Sequence, residues 1–128
     1  MAVKDGWRGR FFEDFEVGDV YRHPRGRTVT ETDNVWFTRL TQNTAPVHFD
    51  RHYAAQTDFG RPLVDSTFTV ALVTGQSVTD VSQNVMANLG YDEVRLPAPV
   101  FGFNRTVIIH RRGYSPGMTR PEPEGGGT

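Results

Sequence analysis

The stretch Asn43-Thr-Ala-Pro-Val-His48-Phe-Asp50 brings a histidine, a side-chain amide and a carboxylate together around one proline. Imidazole changes charge near neutral pH, so a histidine held beside a polar partner can move a proton to or from a bound water. His48 follows a proline-locked turn and precedes a helix start, a position from which a side chain can project into a cleft. The same residues also suit a loop whose histidine packs or caps and whose Asp50 begins a helix. Spacing alone leaves both readings open.

The other reactive types narrow the chemistry. His52 and His110 are expected on the surface of a short helix and an edge strand, and His23 beside Pro24 carries no signal. His48 and His52 stand four apart, but no HExxH pattern or third ligand accompanies them, so no metal site is expected. The chain has no cysteine, which removes thiol nucleophiles, disulfides and thiolate metal sites and fits a reducing compartment. A GxSxG nucleophile elbow and a glycine-rich phosphate loop are both missing.

These residues must be placed by a small fold. The chain has 128 residues, 37% of them hydrophobic, which suits one domain with one core. Fourteen Lys and Arg against fifteen Asp and Glu give a net charge of -1, so no overall field draws it to nucleic acid or to an anionic membrane. The opening residues lack the apolar run of a signal peptide, and no stretch has the length of a membrane span; a cytoplasmic protein is expected.

Along the chain, Phe11 to Val20 reads as an irregular packed lead-in closed by a turn at Gly18-Asp19. Strand signals follow near Tyr21 and at Arg27 to Thr30. Thr30-x-x-Asp33 resembles a capping box, and Trp36, Phe37 and Leu40 recur at helical spacing, so a helix is expected over about 31–41. Pro46 breaks it, and a short helix starts at Asp50. Residues 65 to 81 fit a strand by alternation and a helix by length and capping at Asp65 or Ser66; a buried helix is favoured on local grounds, against a surplus of β-branched residues. Further strands are expected from Met86 to Leu96 and from Phe103 to Arg111. The glycine- and proline-rich residues 113–128 read as a disordered tail behind a single domain over 1–112.

The opener "FFEDFEVGDVYRHPRGRTVTETDNVWF", the P-V-H-x-D turn and the S-T-F-T helix start, in that order, resemble the MaoC-like hydratases and dehydratases of the hot-dog fold, especially the branch that acts on mesaconyl-CoA. The resemblance covers nearly everything from Phe11 to Phe101, and "FNRTVIIHRRG" resembles that family's last strand. It implies an α+β hot-dog fold, a curved antiparallel sheet around a central helix, with residues 66 to 81 as that helix. It also implies a hydro-lyase that adds water to, or removes it from, an enoyl-CoA thioester, with no cofactor beyond the substrate's own CoA. A homodimer or higher hot-dog oligomer is implied too, including one with a paralogous subunit.

In the family an Asp and a His of a D-x-N-P-x-H turn hold the water between them. On this chain His48 and Pro46 match, Asn43 falls on the aspartate and Ala45 on the asparagine. An amide cannot take a proton at neutral pH, so Asn43 would position the water while His48 acts as acid and base, with Asp50 or Asp65 as auxiliary carboxylates. Backbone N–H groups at Ser66 and Thr67 would bind the thioester carbonyl, helped by the helix dipole. Arg51 and Arg61 are candidates for the CoA phosphates, and residues choosing among acyl groups are expected near Trp36, Phe37 and Phe68. The chain departs from the pattern after Phe101, where it omits roughly fifty residues, enough for two long strands and their turns. That omission and Asn43 favour a second reading, a non-catalytic hot-dog subunit that binds acyl-CoA or pairs with an intact paralogue.

Overall fold

The computed structural model describes residues 1–102, together with 105–106 and 109–111. Helix α1 spans Glu31–Leu40 and begins with the expected capping box: Thr30 Oγ1 accepts the Asp33 N–H at 3.2 Å, and Asp33 Oδ2 accepts the Thr30 N–H at 2.8 Å. It ends in a Schellman turn. The Gln42 N–H donates to the Arg39 carbonyl and the Asn43 N–H to the Thr38 carbonyl, both at 3.0 Å, with Gln42 at φ 58°. That left-handed conformation costs a residue with a Cβ about 1–2 kcal/mol. The apolar spacing locates this helix but not its inner face. Asn34 and Thr38 are buried, whereas Trp36 and Leu40 are 67% and 75% exposed.

After a 3-10 turn at Pro46–His48, helix α2 spans Arg51–Ala55, with Asp50 Oδ1 accepting the Tyr53 N–H as N-cap. Helix α3 spans Ser66–Ser77 and continues as a π turn over Val78–Ser82, so the ambiguous stretch is helical. Contrary to expectation it is not a buried helix: within it only Ser77 is buried, and Ala71 and Gly75 lie open. The physical reason is that little sheet covers it. Strands β1 (Val20–Arg22), β2 (Arg27–Thr28), β3 (Arg105–Thr106) and β4 (Ile109–Arg111) make two antiparallel pairs, β1 with β4 and β2 with β3. Tyr21 lies opposite His110, and Arg27 opposite Thr106. The expected last strand thus exists in these two pieces, while the tail at 113–128 lies outside the described residues.

The strand expected from Met86 to Leu96 does not form. Among the described residues no strand pairs with it; Met86 and Leu89 are 104% and 92% exposed, and Pro97 and Pro99 follow directly. The stretch touches α3 where the Tyr91 hydroxyl lies 3.1 Å from Thr74 Oγ1, and its backbone rejoins the fold where Val64 donates to the Val100 carbonyl at 2.8 Å and Leu63 bridges Phe101. The core is correspondingly small, built on Val29, Ala54, Val64 and Val81.

A polar knot fastens the N-terminal lead-in to the far end of α3. Trp7 Nε1 donates to the Thr79 carbonyl at 2.6 Å, and Arg10 donates to the Asp80 carbonyl at 2.8 Å and to Asp80 Oδ1 at 3.3 Å. The Arg10 guanidinium also stacks 4.7 Å from the ring centres of Trp7 and Tyr21. His23, mute in the sequence, is buried with Nδ1 2.9 Å from Asp80 Oδ2. The His23 hydrogen bond, with Arg10 behind it, outweighs burial and holds the Asp80 carboxyl below the usual range. Among the described residues no helix is long and apolar enough to cross a membrane.

Candidate functional site

Pro46 forces Ala45 into extended backbone, and this swings His48 off the end of α1 toward the chain that enters α3. His48 Nδ1 lies 2.7 Å from the Leu63 carbonyl. A carbonyl only accepts, so Nδ1 carries the proton and Nε2 keeps its lone pair whenever the ring is neutral. Proton acceptance by His48 therefore falls to Nε2.

Asn43 is fixed by opposite partners. Its Oδ1 accepts the Ala45 N–H at 3.0 Å, and its Nδ2 donates to Asp65 Oδ2 at 2.9 Å. The Schellman turn determines where Asn43 begins, since its own N–H is bonded to Thr38.

Asp65 is the carboxylate of the group. It is 2% exposed and caps α3, with Oδ1 accepting the Thr67 N–H at 2.9 Å and the Thr67 hydroxyl at 2.6 Å. Burial pushes this carboxyl up, but the bonds from Thr67 and Asn43 and the neighbouring His48 outweigh it, and the net lies below the usual carboxylate range. A carboxylate so satisfied is a poor base. Its chemical character is that of a fixed, buried negative charge.

Of the remaining expected residues, Ser66 stands exposed at the first turn of α3. The Thr67 N–H, expected to face a carbonyl, is spent instead on Asp65, because the cap claims it first. Asp50 is exposed and occupied as the α2 cap, away from the Asn43–Asp65 contact. Arg51 is exposed and pairs with Glu31, and the exposed Arg61 lies with its guanidinium 4.0 Å from the centre of the Phe101 ring.

No sequence signal points to Asn34, which is 3% exposed and meets the site from α1. Its Nδ2 donates to the His48 carbonyl at 2.8 Å and to the Leu63 carbonyl at 2.9 Å, and its Oδ1 accepts the Asp65 N–H at 2.9 Å. A recess of about 110 Å³ adjoins the group, lined by Leu63, Ser66, Thr69, Leu96, Ala98 and Val100 among others. Trp36, Phe37 and Phe68 do not line it: Phe37 and Phe68 stack edge to face at 5.3 Å and Trp36 faces outward. Among the described residues no cluster of three His, Asp or Glu is arranged for a metal ion.

A histidine whose Nε2 keeps its lone pair, a buried carboxylate and the N-terminus of α3 thus come together near the recess. The family model for the MaoC like domain matches residues 14–110, and the chain belongs to that family. Over 93 residues, 73% of this chain, it is 36% identical to a β-methylmalyl-CoA dehydratase of Chloroflexus aurantiacus and 34% identical to a mesaconyl-CoA hydratase of Cereibacter sphaeroides. It spans only about a quarter of the length of either, 26% and 27% respectively. A solved structure from Archaeoglobus fulgidus, described as a monoamine oxidase regulatory protein, superposes with a TM-score of 0.67 at 30% identity, over 77% of this chain and 68% of that one. The fold is thus the α+β hot-dog fold, with few strands.

Proposed function

We propose that this chain adds water to, or removes it from, the double bond of a short enoyl-CoA thioester. The observation that carries the reading is the fixed tautomer of His48, which keeps Nε2 free for a proton beside the ionised Asp65. In the hydration direction a water oxygen bonds to the β-carbon while its proton passes to His48 Nε2. The electron pair of the double bond moves onto the thioester carbonyl as an enolate, and the imidazolium returns the proton to the α-carbon. One water is consumed and His48 ends neutral.

Asn43 uses one of its two N–H groups on Asp65 and one lone pair on Ala45, and positions the water with what remains. The Ser66 N–H, at the positive end of α3, binds the enolate oxygen. Asp65 stabilises the imidazolium in transit, and Asp50 takes no part. Arg61 is better placed than Arg51 for the CoA phosphates, because Glu31 already claims Arg51. No cofactor is needed.

A cavity of about 150 Å³ holds a benzene ring, so the smaller recess beside Ser66 takes fewer than six carbons. Crotonyl-CoA and a branched enoyl-CoA such as mesaconyl-CoA, which the names of two relatives point to, are the substrates to test. The outward apolar residues of α1 and the open face of α3 support a homodimer or larger assembly. They equally favour the second reading, a non-catalytic subunit that binds acyl-CoA or pairs with a paralogous chain.

Hydration is followed by the loss of the conjugated thioester's absorbance. Turnover is expected for the purified chain, falling by at least about a hundredfold in His48→Ala. An unaltered rate in that variant would remove His48 from the chemistry; no turnover on either substrate would select the non-catalytic subunit.

A further inference from the structure

The mechanism above needs His48 and Asp65 in fixed relation, yet they sit on separate segments and share no direct hydrogen bond. Besides the Asn43–Asp65 bond and the Leu63 N–H to Val47 carbonyl bond of 3.1 Å, the side-chain amide of Asn34 on α1 ties both residues to one point. We infer that Asn34 is a positioning residue, a single buried amide that fixes the His48 ring, its proton and the Asp65 cap together.

Three bonds make the argument. Nδ2 spends both of its N–H groups, one on the His48 carbonyl at 2.8 Å and one on the Leu63 carbonyl at 2.9 Å. Oδ1 accepts the Asp65 N–H at 2.9 Å. The amide has one orientation only: turned over, its NH2 would face the Asp65 N–H and its oxygen two carbonyls. The Leu63 carbonyl is the decisive partner, because it also accepts from His48 Nδ1 at 2.7 Å. Asn34 therefore holds the backbone of the histidine and the acceptor that selects the histidine's tautomer.

The three partners lie 14, 29 and 31 residues away along the chain. Without the amide, the His48 carbonyl and the Asp65 N–H would need new partners, the Leu63 carbonyl would keep only His48 Nδ1, and the turn, the 61–65 segment and the start of α3 would lose a side chain that bonds to all three. Asn34 is 3% exposed and reaches no substrate; it acts through His48 and Asp65.

The inference rests on the hydratase reading, so its test has one arm that does not need turnover. Asn34→Ala is compared with Val29→Ala, which removes buried volume in the core away from these contacts and supplies a matched loss of stability. Well below both melting temperatures, Asn34→Ala is expected to lower kcat by roughly ten- to a hundredfold with KM within about twofold, while Val29→Ala leaves kcat unchanged. Nitrogen NMR of the His48 ring reports the tautomer whether or not the chain is active. The Nδ1–H form is expected to dominate in the parent and in Val29→Ala and to give way to a mixture in Asn34→Ala. If Asn34→Ala does not fold, Asn34→Gln, which keeps the amide but displaces it by a methylene, is held to the same criteria. An unchanged tautomer in the folded Asn34 variant, or an equal kcat loss in Val29→Ala, would overturn the proposal. Absent turnover with an altered tautomer would leave Asn34's role standing and refute the hydratase reading alone.

Discussion

Replacing Asn43 by aspartate restores the carboxylate of the family's turn, yet here it should damage the fold before it helps the chemistry. The Asn43 Nδ2 to Asp65 Oδ2 bond of 2.9 Å would become a contact between two carboxylates. At that separation and an effective dielectric near 20, two like charges repel by about 6 kcal/mol, roughly four pKa units. The pair therefore retains one proton from the ordinary carboxylate value of about 3.9 up to roughly pH 8. Across that window the folded variant binds more protons than its unfolded chain, so its stability falls as pH rises. The parent behaves oppositely: its Asp65 carboxyl lies below the usual range, so its contribution is complete above about pH 4 and is lost only on acidification. Thermal unfolding of both chains from about pH 4 to 9 should show a gap that is small at the acid end and widens steadily upward. A gap independent of pH would mean that Asp65 and residue 43 do not share a proton, and the site geometry argued above would be wrong.

Gln42→Gly removes the Cβ from the left-handed position that closes α1 and should raise stability by about 1 kcal/mol, read as a melting temperature higher by several degrees. Asp80→Asn loses the ionised partner of His23 and Arg10; its deficit should be full at neutral pH and shrink as the parent's own Asp80 protonates below about pH 4, seen in the same pH series of unfolding curves. Ala98→Leu puts three more carbons into the recess beside Ser66 and should raise KM for crotonyl-CoA by about tenfold; an unchanged KM would exclude the recess as the acyl site.

The elements nearest to Asn43 and His48 were legible because their signals are local. The capping box at Thr30 and Asp33, the proline before His48 and the Asp50 cap each act within a few residues, and each formed as expected. Asp65 was legible as a cap, and the cap turned out to be the site's carboxylate. What could not be read is set by contacts far apart in sequence. Nothing around Asn34 marks it as the amide that meets three segments, and His23 bonds to Asp80, 57 residues later. The strand expected from Met86 to Leu96 failed for a related reason: a strand requires a neighbour, and local composition does not supply one.

The knot at the end of α3 also sets a schedule. Trp7 bonds to residue 79 and Arg10 to residue 80, separations of 72 and 70 residues. At translation rates of roughly 5–20 residues per second, Trp7 waits about four to fourteen seconds on the ribosome before its partner has been made. For that interval the Trp7 indole N–H and the Arg10 guanidinium are without these partners, and contacts of such long separation are slow to close even once both ends exist. The lead-in is therefore among the last segments to find its place, and encounters of the nascent chain with chaperones or with its own copies during that wait fall on it.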